Sequence, residues 1–257
     1  MAIHLRQICL VAETLAPAVA DLEAVFGTPV CHVDPAVGVF GLENALLAVG
    51  TQFLEVVAPV RADTAAGRYL ERRGGDGGYM VITQVPTAAE QDRVRALAAE
   101  AGVRVAWEAD RGDWRLIQLH PGDMRAAFFE VEWDAAAEID GNWPPAGGRD
   151  WRNAVRTDVV SAIAAAELQH DDPEALARHW SAVSGLPVDH RDGVPVIALA
   201  DADLRFVPAA DGRGPGLGGL HLRAADPARA LSAAEDRGLP VTDAEILICG
   251  TRFRLID

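Results

Sequence analysis

The chain has 257 residues, of which half are hydrophobic and 24% are charged, and its formal net charge is −15. This much apolar sequence is enough for one large domain or two smaller ones, and the ordinary charged fraction argues against a wholly disordered chain. The negative charge argues against partners that need a basic surface, namely nucleic acids and anionic membranes. It is compatible with a neutral or cationic small ligand, and it is also what an ordinary solvated surface produces.

The first residues, MAIHLRQICLVAETL, lack the basic start, apolar run and cleavage site of a signal peptide. No run of about 18 apolar residues occurs, so we predict no transmembrane helix. The three cysteines, Cys9, Cys31 and Cys249, are scattered along the chain. Their odd number and wide spacing argue against a disulfide framework or a zinc cluster. Together these features predict a reduced, cytoplasmic protein.

Four segments of the chain repeat one pattern, in which a strand-like stretch precedes a helix that ends at a glycine, and further extended segments follow. The four helix ends carry the sequences FGTPV, AGVRV, SGLPV and RGLPV, which begin at residues 26, 101, 184 and 237. Glycine just past a helix supplies the left-handed conformation that closes the last turn. Asp172 and Asp226, each followed by proline, are suited to start the third and fourth helices. Such repetition predicts one supersecondary unit that was duplicated twice.

The segment DAAAEIDGNWPPAGGRDWRN, residues 134–153, is rich in proline, glycine and acidic residues and has no apolar period. This composition predicts a linker. The sequence therefore predicts an α+β protein with two domains, residues 1–134 and 155–257, joined by residues 135–154. Trp133, Trp143 and Trp151 cluster around this linker, where we expect them to hold the two domains together.

A tandem pair of strand-helix-strand-strand-strand modules resembles the vicinal oxygen chelate superfamily, which includes glyoxalase I, bleomycin-resistance proteins, methylmalonyl-CoA epimerase and extradiol dioxygenases. The supporting stretches are TQFLEVVAPV, GRYLERRGGDGGYMVITQV and LHPGDMRAAFFEVEW, between residues 51 and 133. The resemblance covers nearly the whole chain and implies two glyoxalase-like domains with cupped mixed sheets. It indicates less about the reaction, because one fold supports many chemistries.

In the metal-binding members of this superfamily, four side chains from the first and last strands of two paired modules hold one divalent ion. Carried over position by position, the resemblance implies Gln7, Glu55 and Glu130 as ligands, with the two glutamates as catalytic residues. The fourth position, usually histidine, is Met80, and a thioether is a weak ligand for such ions. We therefore expect no bound metal, and the alternative is one Zn, Mn, Fe, Ni or Co ion.

Glu55 and Glu130 lie inside apolar stretches, and an unpaired carboxylate is costly to bury there. Each therefore needs a metal, a proton, water or an arginine, for which the candidates are Arg6, Arg68 and Arg115.

In the second half, the same correspondence places Ala165 and Gly219 in the first strands and Arg205 and Arg254 in the last strands. None of these residues is an ordinary metal ligand. The arginines either face an anionic ligand or form salt bridges with neighbouring acids such as Asp203 or Glu167. We expect salt bridges, and a second domain that serves as a scaffold.

Besides Gln7 and Met80, four residues are candidates for contact with a ligand of the first domain: Glu132, Trp107, Trp114 and His120. Strand alternation places Glu132 on the face of Glu130. The two tryptophans flank a strand pair, where packing is the expected role and stacking on a ligand the alternative. His120 precedes the last strand, where a turn at the mouth of the cup is the expected position.

The sequence favours a metal-free protein that binds a small organic molecule, like the bleomycin-resistance members, with the glutamates facing a cationic or hydrogen-bond-donating group. One alternative is a divalent-metal-dependent isomerase, epimerase or lyase that acts on a small oxygenated substrate. Another is a structural or regulatory module without turnover. Because a fused second domain can replace a partner subunit, we expect a monomer, with a homodimer as the alternative.

Overall fold

The computed structural model describes residues 2–257 and confirms the α+β class. The helices and strands of the first half are, in chain order, β1 (His4–Val11), α1 (Leu15–Phe26), β2 (Val30–His32), β3 (Leu42–Val49), β4 (Gln52–Pro59), α2 (Ala65–Arg73), β5 (Gly77–Gln84), α3 (Ala88–Glu100), β6 (Val105–Asp110), β7 (Trp114–Leu119), α4 (Pro121–Met124) and β8 (Phe128–Asp134). Those of the second half are β9 (Val160–His170), α5 (Pro173–Ser184), β10 (Asp189–Arg191), β11 (Val194–Ala198), β12 (Asp203–Pro208), β13 (Gly216–Ala224), α6 (Pro227–Asp236), β14 (Val241–Thr242), β15 (Glu245–Ile248) and β16 (Thr251–Ile256). Short 3-10 helices lie at Pro35–Phe40, Pro144–Ala146 and Asp150–Ala154.

The glycines of the four repeated corners all have positive φ, as the sequence predicts: 66° at Gly27, 73° at Gly102, 70° at Gly185 and 71° at Gly238. A side chain at such a position is strained, so glycine ends the helix and lets the chain turn towards the next strand. The predicted aspartate caps are also present. The side chains of Asp172 and Asp226 accept hydrogen bonds from backbone amides in the first turns of α5 and α6.

By its contacts the chain forms two compact units, each of which takes residues from both halves. Unit 1 contains residues up to 7, 79–142 and 165–217, and unit 2 contains 8–78, 143–164 and 218–257. The prediction divided the chain into two consecutive segments, whereas these contacts group the second module with the third and the first with the fourth. Helix packing is the physical reason, because α3 packs on α5 and α1 packs on α6.

In unit 1, β5 runs parallel to β8, and β7 and β6 follow antiparallel. In the same way, β9 runs parallel to β12, and β11 and β10 follow antiparallel. Trp180 of α5 lies against Phe129 of β8 and Phe206 of β12, with ring centroids 5.1 and 6.3 Å apart. Its indole N–H donates to the carbonyl oxygen of Met124 at 3.0 Å. These contacts build an aromatic core from residues that are distant in sequence.

In unit 2, β13 runs parallel to β16, and β3 pairs antiparallel with β4 and β2. Phe26 of α1 lies 5.1 Å from Phe253 of β16, measured between ring centroids. Trp143 and Trp151 of the predicted linker are buried, and both rings pack on Phe53 of β4. The segment that contains these tryptophans is therefore part of the core of unit 2. Within residues 2–257, no helix is long and apolar enough to cross a membrane.

Candidate functional site

The candidate site is one face of the sheet that β5, β6, β7 and β8 form in unit 1. Residues directly opposite each other on neighbouring strands point to the same side of a sheet. One row across β6, β7, β8 and β5 contains Trp107, Gln118, Glu130 and Ile82. The next row contains Ala109, Leu116, Glu132 and Gln84. We call these two rows the acidic face.

A local irregularity in β6 sets the direction of Trp107. The pairing of β6 with β7 shifts register between Val105 and Trp107, and such a bulge re-aims the side chain that follows it. Trp107 is 45% exposed, whereas Glu130 in the same row is only 4% exposed. An indole this open is not used for core packing, so one aromatic surface is accessible in line with a buried carboxyl group.

Glu132 and Glu130 form a buried pair of carboxyl groups on β8. Glu132 is 1% exposed and accepts a hydrogen bond from the indole N–H of Trp114, with Nε1 and Oε2 2.6 Å apart. Burial, and then the charge and the hydrogen bond of Glu130, raise the pKa of Glu132 well above its ordinary value. Two carboxyl groups this close lose their protons in separate steps, so we expect the pair to hold one proton over a wide pH range.

The two candidate tryptophans have different environments. The ring of Trp114 lies under the guanidinium group of Arg111, 4.9 Å from the ring centroid, and its N–H is bonded to Glu132. Trp114 therefore positions a carboxyl group, while Trp107 is the more exposed of the two side chains.

On β5, Gln84 belongs to the acidic face, and Met80 lies one row beyond it. Met80 is buried and lies two residues from Ile82, so it shares the same side of the strand. The Gln84 side chain donates to Asp134 Oδ2 at 2.6 Å. This leaves the Gln84 carbonyl oxygen buried without a donor in the described part of the chain. A hydrogen-bond donor from water or from a ligand would satisfy it.

Arg6 is a fully buried cation in the same unit. Burial lowers its pKa to about 10, and the nearby acidic side chains of Asp201, Glu132, Asp134 and Asp140 oppose that shift. Its guanidinium group also donates to a backbone carbonyl oxygen of the 135–142 segment. Arg6 therefore offsets part of the acidic charge beneath the candidate site.

The other two arginines proposed as partners for the glutamates bond elsewhere in the structure. Arg68 donates to the carbonyl oxygen of Asp63 at 2.9 Å. Arg115 donates to Asp92 Oδ1 at 3.1 Å, and its guanidinium group lies 5.5 Å from the ring centroid of Trp133.

Glu55 lies on β4 in unit 2, and an amide side chain contacts it. Asn44 of β3 donates to Glu55 Oε1 at 2.6 Å and accepts from the backbone N–H of Asp34 at 2.9 Å. Both side chains are buried. The polar contact of Glu55 therefore connects the sheet to the start of the 3-10 helix at Pro35–Phe40. Gln7 of β1 is also buried, next to Arg6 in the chain.

His120 lies in the turn before α4, where its carbonyl oxygen accepts the backbone N–H of Met124 at 2.9 Å. Its ring Nδ1 is 3.7 Å from Asp123 Oδ1, and Arg104 Nε donates to Asp123 Oδ2 at 2.7 Å. This turn position is the one expected from the sequence, and it follows the end of β7, outside the two rows of the acidic face.

The residues present do not fit the divalent-ion site that the resemblance implies. Glu130 lies beside the buried carboxyl group of Glu132 and raises its pKa, and Glu55 accepts a hydrogen bond from Asn44. Met80 offers a soft thioether where imidazole is usual. Across residues 2–257, no three histidine, cysteine, aspartate or glutamate side chains are grouped so that they could hold an ion.

Asn44, Gln84 and Gln118 were missed by the sequence analysis. Asn44 was detectable as a polar residue inside the apolar stretch LENALLAV. The two glutamines gave no comparable signal, because their importance depends on which strands they lie beside.

Comparison with known proteins agrees with this fold. The family model of the glyoxalase-like domain matches residues 8–184. A search of curated proteins found no significant match. The Mn(II)-bound glyoxalase from Novosphingobium aromaticivorans is similar over 99% of this chain and 81% of its own, with a TM-score of 0.68 and 13% identity. At this identity the likeness shows a common fold.

Shorter matches are found to methylmalonyl-CoA epimerases. A variant from Streptomyces coelicolor, in complex with 2-nitronate-propionyl-CoA, is 24% identical over 54% of this chain and 99% of its own, with a TM-score of 0.46. The enzyme from Mycobacterium tuberculosis is 21% identical over 51% of this chain and 88% of its own, with a TM-score of 0.44.

Proposed function

Because the chain belongs to the glyoxalase-like domain family of the vicinal oxygen chelate superfamily, we propose that it binds a small organic molecule on the acidic face without a metal ion. The supporting observation is the row in which the open indole of Trp107 lies in line with the buried carboxyl group of Glu130. The indole can stack on a ligand and the carboxyl group can bind its polar group. Two such contacts in one row fix the orientation of a small ligand.

The chemistry of the face favours a planar ligand with a cationic or hydrogen-bond-donating group. Trp107 offers an aromatic surface, on which cations and flat rings pack well. Glu130 and Glu132 together carry one negative charge when they share one proton. The apolar side chains of Ile82 and Leu116 lie in the same two rows and provide contact area.

The carboxyl pair also favours a second function, which is proton transfer to and from a bound carbon acid. A neutral Glu132 beside an ionised Glu130 supplies an acid and a base at one place. Solvent deuterium that appears at a carbon atom of the bound molecule would demonstrate this isomerase-like activity. Binding without such exchange would leave the binding function alone.

The binding proposal is tested with benzamidine as a planar cationic probe and benzamide as its neutral counterpart, by quenching of tryptophan fluorescence. We expect saturable quenching by benzamidine in the natural protein. Glu130→Gln should weaken binding about tenfold, which corresponds to one charge-assisted hydrogen bond of about 1.4 kcal/mol.

Two further variants make this test specific. Trp107→Ala should abolish the quenching, while Glu108→Gln should leave it unchanged, because Glu108 is exposed and bonded to Arg95. Equal binding of benzamide and benzamidine, or an unaltered Glu130→Gln protein, would contradict the proposal.

The metal-dependent alternative has its own test, which is elemental analysis of the untagged protein beside a Glu55→Ala, Glu130→Ala double variant. We expect far less than one equivalent of Zn, Mn, Fe, Ni or Co in both proteins. About one equivalent in the natural protein, lost in the double variant, would refute metal-free binding.

A further inference from the structure

Arg205 and Arg254 occupy corresponding positions in the last strands of the third and fourth modules, but they face different side chains. Arg254 of β16 lies directly opposite Glu245 of β15, and the two side chains form a salt bridge. Arg205 of β12 lies opposite Val196 of β11. The neighbouring antiparallel strand therefore places an acidic side chain opposite Arg254 and an apolar side chain opposite Arg205.

Arg205 is half-buried in the interior of a sheet. Its strand lies between β9 and β11, and the neighbouring residues Leu204 and Phe206 are fully buried on one side. Arg205 consequently points to the other side. Its Nε is buried and has no hydrogen-bond acceptor in the described part of the chain. A buried donor that is left unsatisfied destabilises the fold, so an acceptor at this place would be stabilising.

Two acids lie on the same side of the sheet as Arg205. Asp203 precedes it by two residues, and its carboxylate is bonded to Arg191. Glu167 of β9 lies directly across from Arg205 in the parallel pair. A ligand with one negative charge suits this environment better than a dianion, because Glu167 repels each additional charge.

We propose that Arg205 anchors a second ligand site, separate from the acidic face, that takes a small molecule with one carboxylate group. The planar guanidinium fork matches the two oxygens of a carboxylate. Val196 and Ala165 are small, buried apolar residues on the same side of the sheet, so apolar side chains border the guanidinium group. The site does not depend on the function proposed for Glu130 and Glu132.

The test is ¹⁹F NMR on the full-length protein, with 4,4,4-trifluorobutanoate as the carboxylate probe and 4,4,4-trifluorobutanamide as the neutral control. The probe signal should broaden in the presence of the natural protein and of Arg254→Gln, whose arginine already has a partner. With Arg205→Gln the broadening should fall at least about fivefold, as loss of a charge-assisted hydrogen bond implies. Circular dichroism verifies that each variant is folded.

If Arg205→Gln does not fold, Arg205→Lys is used in its place, because lysine keeps the positive charge but lacks the planar guanidinium fork. The Arg205→Lys protein should also broaden the probe signal less than the natural protein does. The proposal is overturned if the natural protein does not broaden the trifluorobutanoate signal, or if the variants at positions 205 and 254 broaden it to the same extent. It is also overturned if the natural protein broadens the trifluorobutanamide signal equally. Displacement of the probe by inorganic phosphate at lower concentrations than by acetate would overturn the preference for a single charge.

Discussion

Replacing Glu132 by glutamine should stabilise the protein, and the gain should grow with pH. Glutamine has the shape of a protonated carboxyl group, so it can still accept from Trp114, and its amide N–H offers a donor to the neighbouring Glu130. It has no proton to lose. The natural Glu132 has a pKa raised above its ordinary value of 4.5, chiefly by burial and next by the charge of Glu130.

The sign and size follow from proton uptake on folding. Above about pH 4.5 the unfolded chain has lost this proton while the folded chain keeps it, so raising the pH favours the unfolded state. Between pH 4.5 and the raised pKa of Glu132, each pH unit lowers the free energy of unfolding of the natural protein by up to about 1.4 kcal/mol. Below pH 4.5 this effect is absent. Between pH 5 and 7, the free energy of unfolding of Glu132→Gln should gain up to about 2.7 kcal/mol over that of the natural protein.

Urea unfolding of both proteins at half-unit steps from pH 4 to pH 8 measures this difference. The pKa of Asp134 is also raised, but that residue is present in both proteins and largely cancels in the comparison. Glu108→Gln is the matched control, because it changes an exposed glutamate two strands away on the opposite side of the sheet, and its difference should be flat. A flat difference for Glu132→Gln, or one that shrinks as the pH rises, would refute the assignment of a neutral Glu132.

Three further substitutions test the surrounding structure by chemical denaturation. Arg6→Met should destabilise the fold by about 3–5 kcal/mol, because it leaves buried carboxylates without their cation, while exposed Arg178→Met should have little effect. Trp143→Ala should cost about 3–5 kcal/mol and make the arginines around it accessible to trypsin. Gly50→Ala should cost about 2–3 kcal/mol, because its Cβ would lie 2.3 Å from the carbonyl oxygen of Ser161. An unchanged unfolding midpoint in any of these three variants would contradict the packing described at that residue.

Local sequence was sufficient to predict the repeated module and its helix ends. Gly27 and Gly185 close helices because only glycine adopts the left-handed conformation without strain, and this depends on a few neighbouring residues. Glu130 and Glu132 share one side of β8 because they are two residues apart, and successive side chains of a strand alternate between its two faces. For these reasons the α+β class and the carboxyl pair were predictable, and the family match agrees with that class.

The tertiary structure decided which side chains meet. The bulge that aims Trp107 along the row of Glu130, the amide of Asn44 on Glu55, and the valine opposite Arg205 all depend on strand register. Register and helix packing join residues that are far apart in the chain, and no local pattern encodes them. The grouping of the second module with the third has the same origin, since the packing of α3 on α5 is a contact between distant segments. The alternation of side chains along a strand predicts which face of the sheet a residue occupies. Only the folded chain shows which residue of the neighbouring strand lies opposite it.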